Sequence, residues 1–535
     1  MMRRMPPPRG PRGRHGRHAA RSHLPFIAVV VALVLASAAL AVRAGLFGGD
    51  DADQADGGAS PTPGTSSPSP GSPGPSPSPS ATPAPEPEPS PQPINATFTG
   101  MTTFRGNATR SWYGEGPVPE RPEVLWHYPP SGGLCSHSSD QQGDRLWCGT
   151  GWTGQPNVVV AEDGSIEVRF NAYDGAYHFL DGLTGEPVRA KLQTGDLAKG
   201  SASSDPDGYP LYYAGSRDNL LRVVALDRGD PEVLWTLNAD SSVPNPIWNN
   251  DWDGAPLVID DYLLEGGENS WFYVIRLNRG YDEDGLVTVD PKVVLTVPGF
   301  DDELFSVLPD SDVSIENSVA FVDGVAYFAN SGGLVQGWDI SRVLRGGKKA
   351  ERVFRFWTGD DTDASVVIDE EGSLYVASEL ERYNARSSEI GQLMKLDPSK
   401  RGDPLVWSIP ITEKGIEGSG GAWATPALYG DMVYIATNYG DLIGLDRRTG
   451  KEAWRIHLAG PTWSSPVPID DVLLQGDCGG ILHAFDISRP LREPPELWSL
   501  SLGSCIESTP SVLQGMIWVG TRGGAVYGVA DRHRG

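Results

Sequence analysis

Acidic residues recur at one position of a repeated segment, and their convergence would suit a bound cation. The position is the third residue before the proline of Trp423-Ala-Thr-Pro426. Converging carboxylates repel one another unless a cation or hydrogen-bond donors join them, and oxygen ligands suit calcium or magnesium. In the aligned copies the position is occupied by His137, Ala202, Asp253, Glu316, Asp363, Trp423, Trp463 and Glu507, and Asn317 and Asp361 lie beside two of the acids.

Two of these residues are tryptophans, which stack well on flat or cationic ligands. The alternative is that the whole set faces a water-filled channel and binds nothing. No residue is assigned a catalytic role. The candidate ligand- or cation-binding residues are His137, Asp253, Glu316, Asn317, Asp363, Trp423, Trp463 and Glu507.

The segment that carries this position is a repeat, best seen in Gly420–Gly460, which contains four short apolar runs separated by Gly, Asp and Asn. The fourth run often centres on a tryptophan, as at Trp357, Trp407, Trp454 and Trp498. Four strands in units of this length predict an all-β, eight-bladed propeller of four-stranded antiparallel blades. The second run recurs at Leu146–Thr150, Leu211–Ser216, Tyr262–Gly267, Val325–Ser331, Ser373–Glu379, Met432–Asn438, Val472–Asp477 and Met516–Arg522.

The two ends of the repeat region complement each other. The last unit supplies three strands within Ser508–Asp531, while Val124–Tyr128 has the pattern of the fourth run at Glu496–Leu500. We therefore expect the N-terminal strand to complete the eighth blade, which would remove an open sheet edge.

Four cysteines, Cys135, Cys148, Cys478 and Cys505, form an even set. Cys135 is expected to open the first strand of blade 1, with Cys148 in its antiparallel partner. We favour the disulfides Cys135–Cys148 and Cys478–Cys505, although four cysteines allow three pairings. A zinc site is the alternative, but the spacing matches no zinc finger. Disulfides would indicate an oxidising compartment.

The N-terminal quarter predicts a membrane anchor and a tether. Leu24–Val42 is a run of apolar or small residues that follows an arginine-rich tail and precedes the first acids. Its length suffices to span a bilayer, and the charge asymmetry places the N-terminus in the cytoplasm. A cleaved signal peptide is the alternative. The predicted domains are a basic cytoplasmic tail (1–23), a transmembrane helix (24–46), a Pro/Ser/Gly-rich disordered linker (47–93), a lead-in segment (94–121) and the propeller (122–535), which would lie outside the plasma membrane.

Charge excludes one class of partner. The chain has a net charge of −26, and residues 1–49 hold eight arginines and no acid, so the remainder is more acidic still. An acidic body of this kind repels nucleic acid. Other envelope proteins or a small ligand are the expected partners.

The repeats resemble the pyrroloquinoline-quinone (PQQ)-type propeller repeat. The resemblance is carried by Tyr434–Thr437, by the turn Leu445–Lys451, by Trp454 and by the matching stretch Leu180–Pro187, and it covers about residues 104–535. It implies eight blades. Asp446 is expected to hydrogen-bond the following backbone, Gly450 to supply a positive φ, and Trp454 to pack between blades.

The resemblance implies several functions. The family includes cofactor-free scaffolds similar to the lipoprotein of the outer-membrane barrel-assembly machine, which favours a non-catalytic binding or assembly module at the cell envelope. It also includes PQQ- and calcium-dependent alcohol or sugar dehydrogenases, which typically carry a disulfide between adjacent cysteines; no adjacent pair occurs here. Calcium ligands in that case would include Glu316 and Asn317. The third hypothesis is an ectodomain that binds a cation or a small ligand.

Overall fold

The computed structural model describes residues 100–140, 143–151, 154–415 and 418–532. Eight sheets, each with four antiparallel strands, follow one another along the chain, and each is one blade of a propeller. Only the added strand Gly114–Glu115 of blade 8 is parallel to its neighbour among the described blades. The PQQ-type propeller predicted from the repeats is confirmed in its eight blades.

The first four blades are built as follows, from the innermost strand outward. Blade 1 contains Asn157–Val160, Ile166–Ala172, Ala176–Asp181 and Leu192–Gln193, with Gly100–Met101 added inside. Blade 2 contains Ser203–Ser204, Leu211–Ala214, Leu220–Ala225 and Glu232–Asn238. Blade 3 contains Leu257–Ile259, Tyr262–Gly267, Trp271–Arg276 and Lys292–Pro298. Blade 4 contains Ala320–Val322, Val325–Phe328, Leu334–Asp339 and Glu351–Trp357.

The last four blades repeat this order. Blade 5 contains Val367–Ile368, Leu374–Ala377, Leu393–Leu396 and Leu405–Ile409. Blade 6 contains Ala427–Tyr429, Met432–Ala436, Asp441–Asp446 and Glu452–His457. Blade 7 contains Val467–Ile469, Val472–Gly476, Ile481–Asp486 and Glu496–Ser501. Blade 8 contains Ser511–Leu513, Met516–Thr521, Ala525–Asp531 and Pro122–Tyr128, with Gly114–Glu115 added inside.

The ring closes as predicted. Pro122–Tyr128 lies antiparallel to Ala525–Asp531 and forms the outer strand of blade 8. The first part of the propeller and the last part therefore share one sheet, which leaves no unpaired outer edge on the third strand of that blade.

The predicted turn chemistry is present in blade 6. Asp446 Oδ1 accepts a hydrogen bond from Thr449 N at 2.8 Å. Gly450 has a φ of 69°, and a Cβ there would lie 2.5 Å from the ring of Trp407 in the preceding blade. The indole of Trp407 donates to Arg447 O at 3.0 Å, and that of Trp454 donates to Pro490 O of the next blade at 3.0 Å. Each tryptophan thus fills the seam between two blades and satisfies its polar N–H.

Short elements decorate the ring. The helices of the described residues are α1 (Asp302–Phe305), α2 (Ser341–Leu344) and α3 (Ala385–Ile390). Three two-stranded sheets add Gly280–Tyr281 with Val287–Thr288, Glu379–Leu380 with Gly420–Gly421, and Cys135–Asp140 with Gly143–Cys148.

The hairpin of Cys135–Asp140 and Gly143–Cys148 corrects the prediction for blade 1. These strands do not belong to the blade, whose second strand is Ile166–Ala172 instead of Leu146–Thr150. The pattern therefore identified the hairpin strands correctly but could not assign their sheet. The favoured disulfides are both present, Cys135–Cys148 across this hairpin and Cys478–Cys505 between blades 7 and 8.

Residues 100–116 form a segment that we call the plug, because it lies across one end of the ring. It hydrogen-bonds the innermost strand, or the residues just before it, in seven blades. Gly100–Met101 pairs with blade 1, and Gly114–Glu115 with blade 8. Between them, carbonyls of the plug accept from Ser204 N, Phe321 N and Ile368 N, and Leu428 N donates to the Tyr113 hydroxyl. Tyr113 also belongs to the core that contains Ile469 of blade 7.

Two arginines of the plug are fully buried. Arg110 donates to Val319 O, Ala255 O, Phe104 O and Thr103 Oγ1 at 2.8–3.1 Å. Arg105 donates to Thr425 O at 2.8 Å and lies over the ring of Tyr113. Burial lowers the pKa of Arg110, but at about 9 it remains charged at neutral pH. The plug is therefore held to the ring both by its backbone hydrogen bonds and by guanidinium groups that donate to backbone carbonyls. A charged donor forms a stronger hydrogen bond than a neutral one.

The predicted transmembrane helix at 24–46 and the linker at 47–93 lie outside the described residues. Within residues 100–532, apart from the short gaps given above, no helix has the length and apolar character needed to cross a membrane.

Candidate functional site

A ring of hydroxyl groups around the axis aligns the blades with one another. In most blades a backbone N–H donates to a serine or threonine hydroxyl of the next blade. Because the same hydrogen bond recurs from blade to blade, it shows which residues of different blades occupy the same structural position. The bonds are Gln155 N to Ser201 Oγ, Ala255 N to Ser318 Oγ, Ser318 N to Ser365 Oγ, Ser365 N to Thr425 Oγ1, Thr425 N to Ser465 Oγ and Ser465 N to Thr509 Oγ1, at 2.9–3.3 Å.

The axial column is the set of residues two places before these positions, and it differs from the predicted column in two blades. Blade 2 contributes Lys199, because Ala202 occupies the place that proline takes in several other blades. In blade 1 the equivalent residue lies outside the described part of the chain. The column is Lys199, Asp253, Glu316, Asp363, Trp423, Trp463 and Glu507.

His137 does not lie in the axial column. It is on the Cys135–Asp140 strand of the extra hairpin, where its Nδ1 pairs with Asp144 Oδ2 at 3.1 Å. Its side chain is 67% exposed, so it is not held in a buried site. The sequence alignment fixed blade 1 on this hairpin, whereas the proline that marks the blade is Pro156.

The acids and the plug lie on opposite sides of the hydroxyl ring. The acids precede the hydroxyl positions along each chain segment, whereas the plug bonds to residues at or after them, such as Ala255, Val319 and Thr425. The channel is therefore covered by the plug at one end and lined by acids at the other.

A triad of carboxylates in blade 3 surrounds the ammonium of Lys199. Lys199 Nζ lies 2.6 Å from Asp253 Oδ2, 2.7 Å from Glu268 Oε1 and 3.3 Å from Asp251 Oδ2. Although burial opposes the charged form, these acids hold the pKa of Lys199 well above its ordinary value. Arg217 adds a second cation, since its Nε lies 2.9 Å from Asp251 Oδ2. We call this set the lysine triad.

A second triad in blade 5 has no such ammonium. Asp361, Asp363 and Glu379 each offer a carboxylate oxygen within 4.8 Å of the others. The only ion pair to them in the described chain is Arg382 to Asp361 Oδ2, at 3.9 Å. Asp361 Oδ1 is buried and makes no hydrogen bond. We call this set the open triad.

The open triad is strongly perturbed. Burial is the largest cause that raises the pKa values of Asp361, Asp363 and Glu379 well above the ordinary range, and neighbouring carboxylates raise them further. Burial and the Asp363 carboxylate act in the same direction on Glu316. Buried acids that repel one another in this way retain protons until a cation replaces them.

The other predicted site residues have identifiable partners. Asn317 bridges two blades, since its amide bonds Ala329 and Thr362 at 3.0–3.1 Å, which uses its polar atoms for structure. Trp423 and Trp463 contact each other with ring centroids 4.9 Å apart. Glu507 pairs with Arg522 at 2.8 Å.

Several residues of the site were not predicted from sequence. Glu268 and Glu379 lie just beyond the second strands of blades 3 and 5. The register of the two inner strands, extended past the strand ends, gives one residue of each blade at this position, but the residue types there do not repeat and so provide no marker in the sequence. That second column is Tyr173, Arg217, Glu268, Ser331, Glu379, Asn438, Cys478 and Arg522.

Comparison with known proteins supports the fold and a local family likeness. Residues 391–489 match the family model described as outer membrane protein assembly factor BamB. No curated protein sequence is significantly similar to the chain. Quinohemoprotein alcohol dehydrogenase ADHIIG from Pseudomonas putida HK5 superposes with a TM-score of 0.55 at 12% identity, over 81% of this chain and 80% of its own.

Two further solved structures share the fold. The quinohemoprotein alcohol dehydrogenase from Comamonas testosteroni has a TM-score of 0.51 at 13% identity, over 81% of this chain and 80% of its own. Saccharomyces cerevisiae Sqt1 has a TM-score of 0.50 at 10% identity, over 68% of this chain and 92% of its own. At sequence identities this low, the similarity shows a shared fold and does not show a shared function. The chain is thus an eight-bladed propeller with PQQ-type repeats, similar over residues 391–489 to the BamB assembly factor and in its overall fold to quinohemoprotein alcohol dehydrogenases.

Proposed function

We propose that this protein is a non-catalytic binding module, anchored in the plasma membrane by residues 24–46, whose propeller binds a divalent cation at the open triad and engages other envelope proteins. The proposal rests chiefly on the contrast between the two triads. Both are buried sets of three carboxylates, and the protein itself supplies a cation to one of them through Lys199. In the open triad, a divalent cation that prefers oxygen ligands would take the place that the Lys199 ammonium has in the lysine triad.

The open triad suits calcium or magnesium by its ligand type. Asp361, Asp363 and Glu379 supply oxygen atoms only, and the Asp361 Oδ1 atom is available because it accepts no hydrogen bond. No imidazole or thiolate in the described residues belongs to the group. Zinc and copper, which prefer nitrogen or sulfur ligands, are therefore poorly matched.

Calcium binding is the first test. We expect calcium to raise the melting temperature of the chelator-treated protein, because a ligand that binds only the folded state stabilises it, by about 2.7 kcal/mol at one hundred times its Kd. Asp363→Asn and Glu379→Gln should abolish the shift. Glu371→Gln, which changes an exposed acid of the same blade, should retain it. Differential scanning fluorimetry measures the melting temperature, and isothermal titration calorimetry measures the Kd for calcium. An unchanged wild-type melting temperature in calcium and in magnesium would rule out the site.

The envelope role draws on the likeness of residues 391–489 to an outer membrane assembly factor. That region covers part of blade 5, all of blade 6 and most of blade 7.

Membrane attachment is tested by fractionation. The full chain should remain in the membrane pellet after carbonate extraction, whereas a chain lacking residues 24–46 should not. If the expressed protein is instead released from the membrane and has lost only its N-terminal segment, the segment is a cleaved signal peptide.

The described residues do not fit PQQ, the cofactor that a dehydrogenase function would need. PQQ is a tricarboxylate, which calls for cationic partners, whereas most residues of the axial column carry carboxyl groups. The cations of the two columns and Arg382 are all engaged by acids of the protein: they are Lys199, Arg217, Arg382 and Arg522. The cysteine pair nearest the axial column is Cys478–Cys505, not an adjacent pair. We derive no redox step from this site.

A further inference from the structure

A cavity of about 610 Å³ opens at the acid-lined end of the channel, beside blades 2 to 4. This volume lies in the range of small-molecule sites. Its lining includes the acids Asp196, Asp251, Glu268 and Glu316. The residues of the open triad are not part of the lining, so the cavity and the proposed divalent cation site share no residue, although Asp363 lies close enough to Glu316 to raise its pKa.

The cations of the cavity are already paired, whereas two of its acids, Asp196 and Glu316, have no ion pair in the described part of the chain, and Asp196 accepts a hydrogen bond from Leu197 N at 2.7 Å. Lys199 and Arg217 are held by the carboxylates of the lysine triad at 2.6–3.3 Å. Glu316 Oε1 accepts a hydrogen bond from Ser314 at 2.8 Å, and no ion pair to Glu316 occurs in the described part of the chain. Burial and the Asp363 carboxylate raise the pKa of Glu316 against the effect of Lys199, so a ligand cation beside Glu316 would favour its charged form.

An aromatic ring faces the same cavity. Trp248 is 40% exposed and lines it. Its backbone has a φ of 75°, a left-handed conformation that is unusual for a bulky residue. The neighbouring backbone is fixed on both sides, since Ile247 N donates to Asn269 O at 3.0 Å and Asn249 N to Glu268 O at 3.3 Å. The indole is therefore held at the cavity by backbone bonds and not by burial of its ring.

Lys199 already demonstrates which group these acids accept. Its alkylammonium sits among three carboxylates, two of which, Asp251 and Glu268, line the cavity. A ligand with the same group would find an equivalent partner in Glu316, and a ring attached to it would find Trp248. Ammonium–carboxylate bonds are among the strong hydrogen bonds, and aromatic faces attract cations.

We propose that this cavity binds a small primary amine with an aromatic body, whose ammonium pairs with Glu316 and whose ring packs against Trp248. Anionic analogues are excluded by the acids of the lining. Aliphatic amines keep the ion pair but lose the contact with the indole, so they bind more weakly.

Tryptamine is the probe, and the full chain in detergent is titrated by calorimetry. We expect saturable binding of tryptamine, weaker binding of spermidine, and none of indole-3-propionate, which has a carboxylate in place of the amine. Glu316→Gln should weaken tryptamine binding more than tenfold, and Trp248→Ala should weaken it about tenfold. The controls Glu283→Gln and Tyr281→Ala alter an exposed acid and an exposed ring in the small hairpin between the third and fourth strands of blade 3, and they should bind as the wild type does.

The proposal fails if tryptamine does not bind at millimolar concentration, if indole-3-propionate binds equally well, or if Glu316→Gln leaves the affinity unchanged. Equal affinities for spermidine and tryptamine would overturn the role of Trp248. Circular dichroism checks the fold of each variant. Calcium titration of Trp248→Ala separates the two proposals, because the open triad does not include this residue and its response to calcium should be unchanged whatever the result with amines.

Discussion

Replacement of Lys199 by methionine should lower the free energy of unfolding by about 3–5 kcal/mol at pH 7, the usual result of removing one partner from a buried ion pair. The variant keeps a long, unbranched side chain but leaves three buried carboxylates without their ammonium. Chemical denaturation followed by tryptophan fluorescence measures the loss. Lys191→Met is the matched control, because Lys191 is 46% exposed and its pair with Asp174 lies near the surface; we expect a change below about 1 kcal/mol.

The loss should depend on pH with a definite sign. Burial raises the pKa of Asp251 to about 6 and that of Glu268 to about 7 even with the lysine present. Without Lys199 the folded state binds these protons still more tightly than the unfolded state does. Stability of the variant therefore falls as pH rises, and its difference from the wild type should be larger at pH 8 than at pH 5. A constant difference would mean that lost packing, and not charge, dominates.

The Lys199→Met variant also tests whether a buried set of three carboxylates binds calcium once it lacks an ammonium. With its ammonium removed, the lysine triad has the same three-carboxylate composition as the open triad. We expect Lys199→Met to bind one more equivalent of calcium than the wild type and to recover part of its stability in calcium. Unchanged stoichiometry would show that three buried carboxylates are not sufficient for binding in this fold.

Replacement of Arg110 by methionine should cost about 3–5 kcal/mol as well, but for a different reason. The side chain donates to three backbone carbonyls, those of Phe104, Ala255 and Val319. Each buried acceptor that loses its donor costs about 1–3 kcal/mol. Arg110→Lys should recover only part of the loss, because a lysine cannot reproduce the planar fork of donors.

The control for Arg110 is Arg121→Met, which removes an exposed arginine close in sequence. We expect that change to stay within about 0.5 kcal/mol. Limited proteolysis gives a second measurement, since a loosened plug exposes its backbone. If Arg110→Met unfolded at the same denaturant concentration as the wild type and resisted proteases equally, the plug would not be part of the cooperative unit.

The fold was predictable because its signals repeat. Trp407 and Trp454 occupy equivalent seams, and each sits against the turn of the following blade. A contact made in blade after blade leaves the same residues at the same spacing, so the eight units and the ring closure could be read from one chain. The hairpin of Cys135–Asp140 and Gly143–Cys148 could not, because a strand pattern does not state which sheet the strand joins.

The residues of the site were predictable only in blades where a recognisable residue, such as proline, aligns the first strand with those of the other blades. Proline or a hydroxyl residue aligned blades 3 to 8 correctly, so Asp253, Glu316 and Asp363 were placed on the axis. Blade 2 has Ala202 where proline would stand, and Lys199 was therefore missed. Glu268 and Glu379 escaped notice for another reason. Their position carries a different residue in almost every blade, because the interactions there are individual and leave no repeated pattern.

Closure of the ring has a consequence for folding. Seven blades are built from residues close in sequence, so most of the sheet structure can form locally. The eighth requires Pro122–Tyr128 to meet Ala525–Asp531 across about 400 residues, and contacts between such distant segments form slowly. Until they meet, the edge of Ala525–Asp531 is unpaired and can accept the Pro122–Tyr128 strand of a second copy. Concentrated refolding should therefore favour strand-exchanged dimers, and dilute refolding the closed monomer.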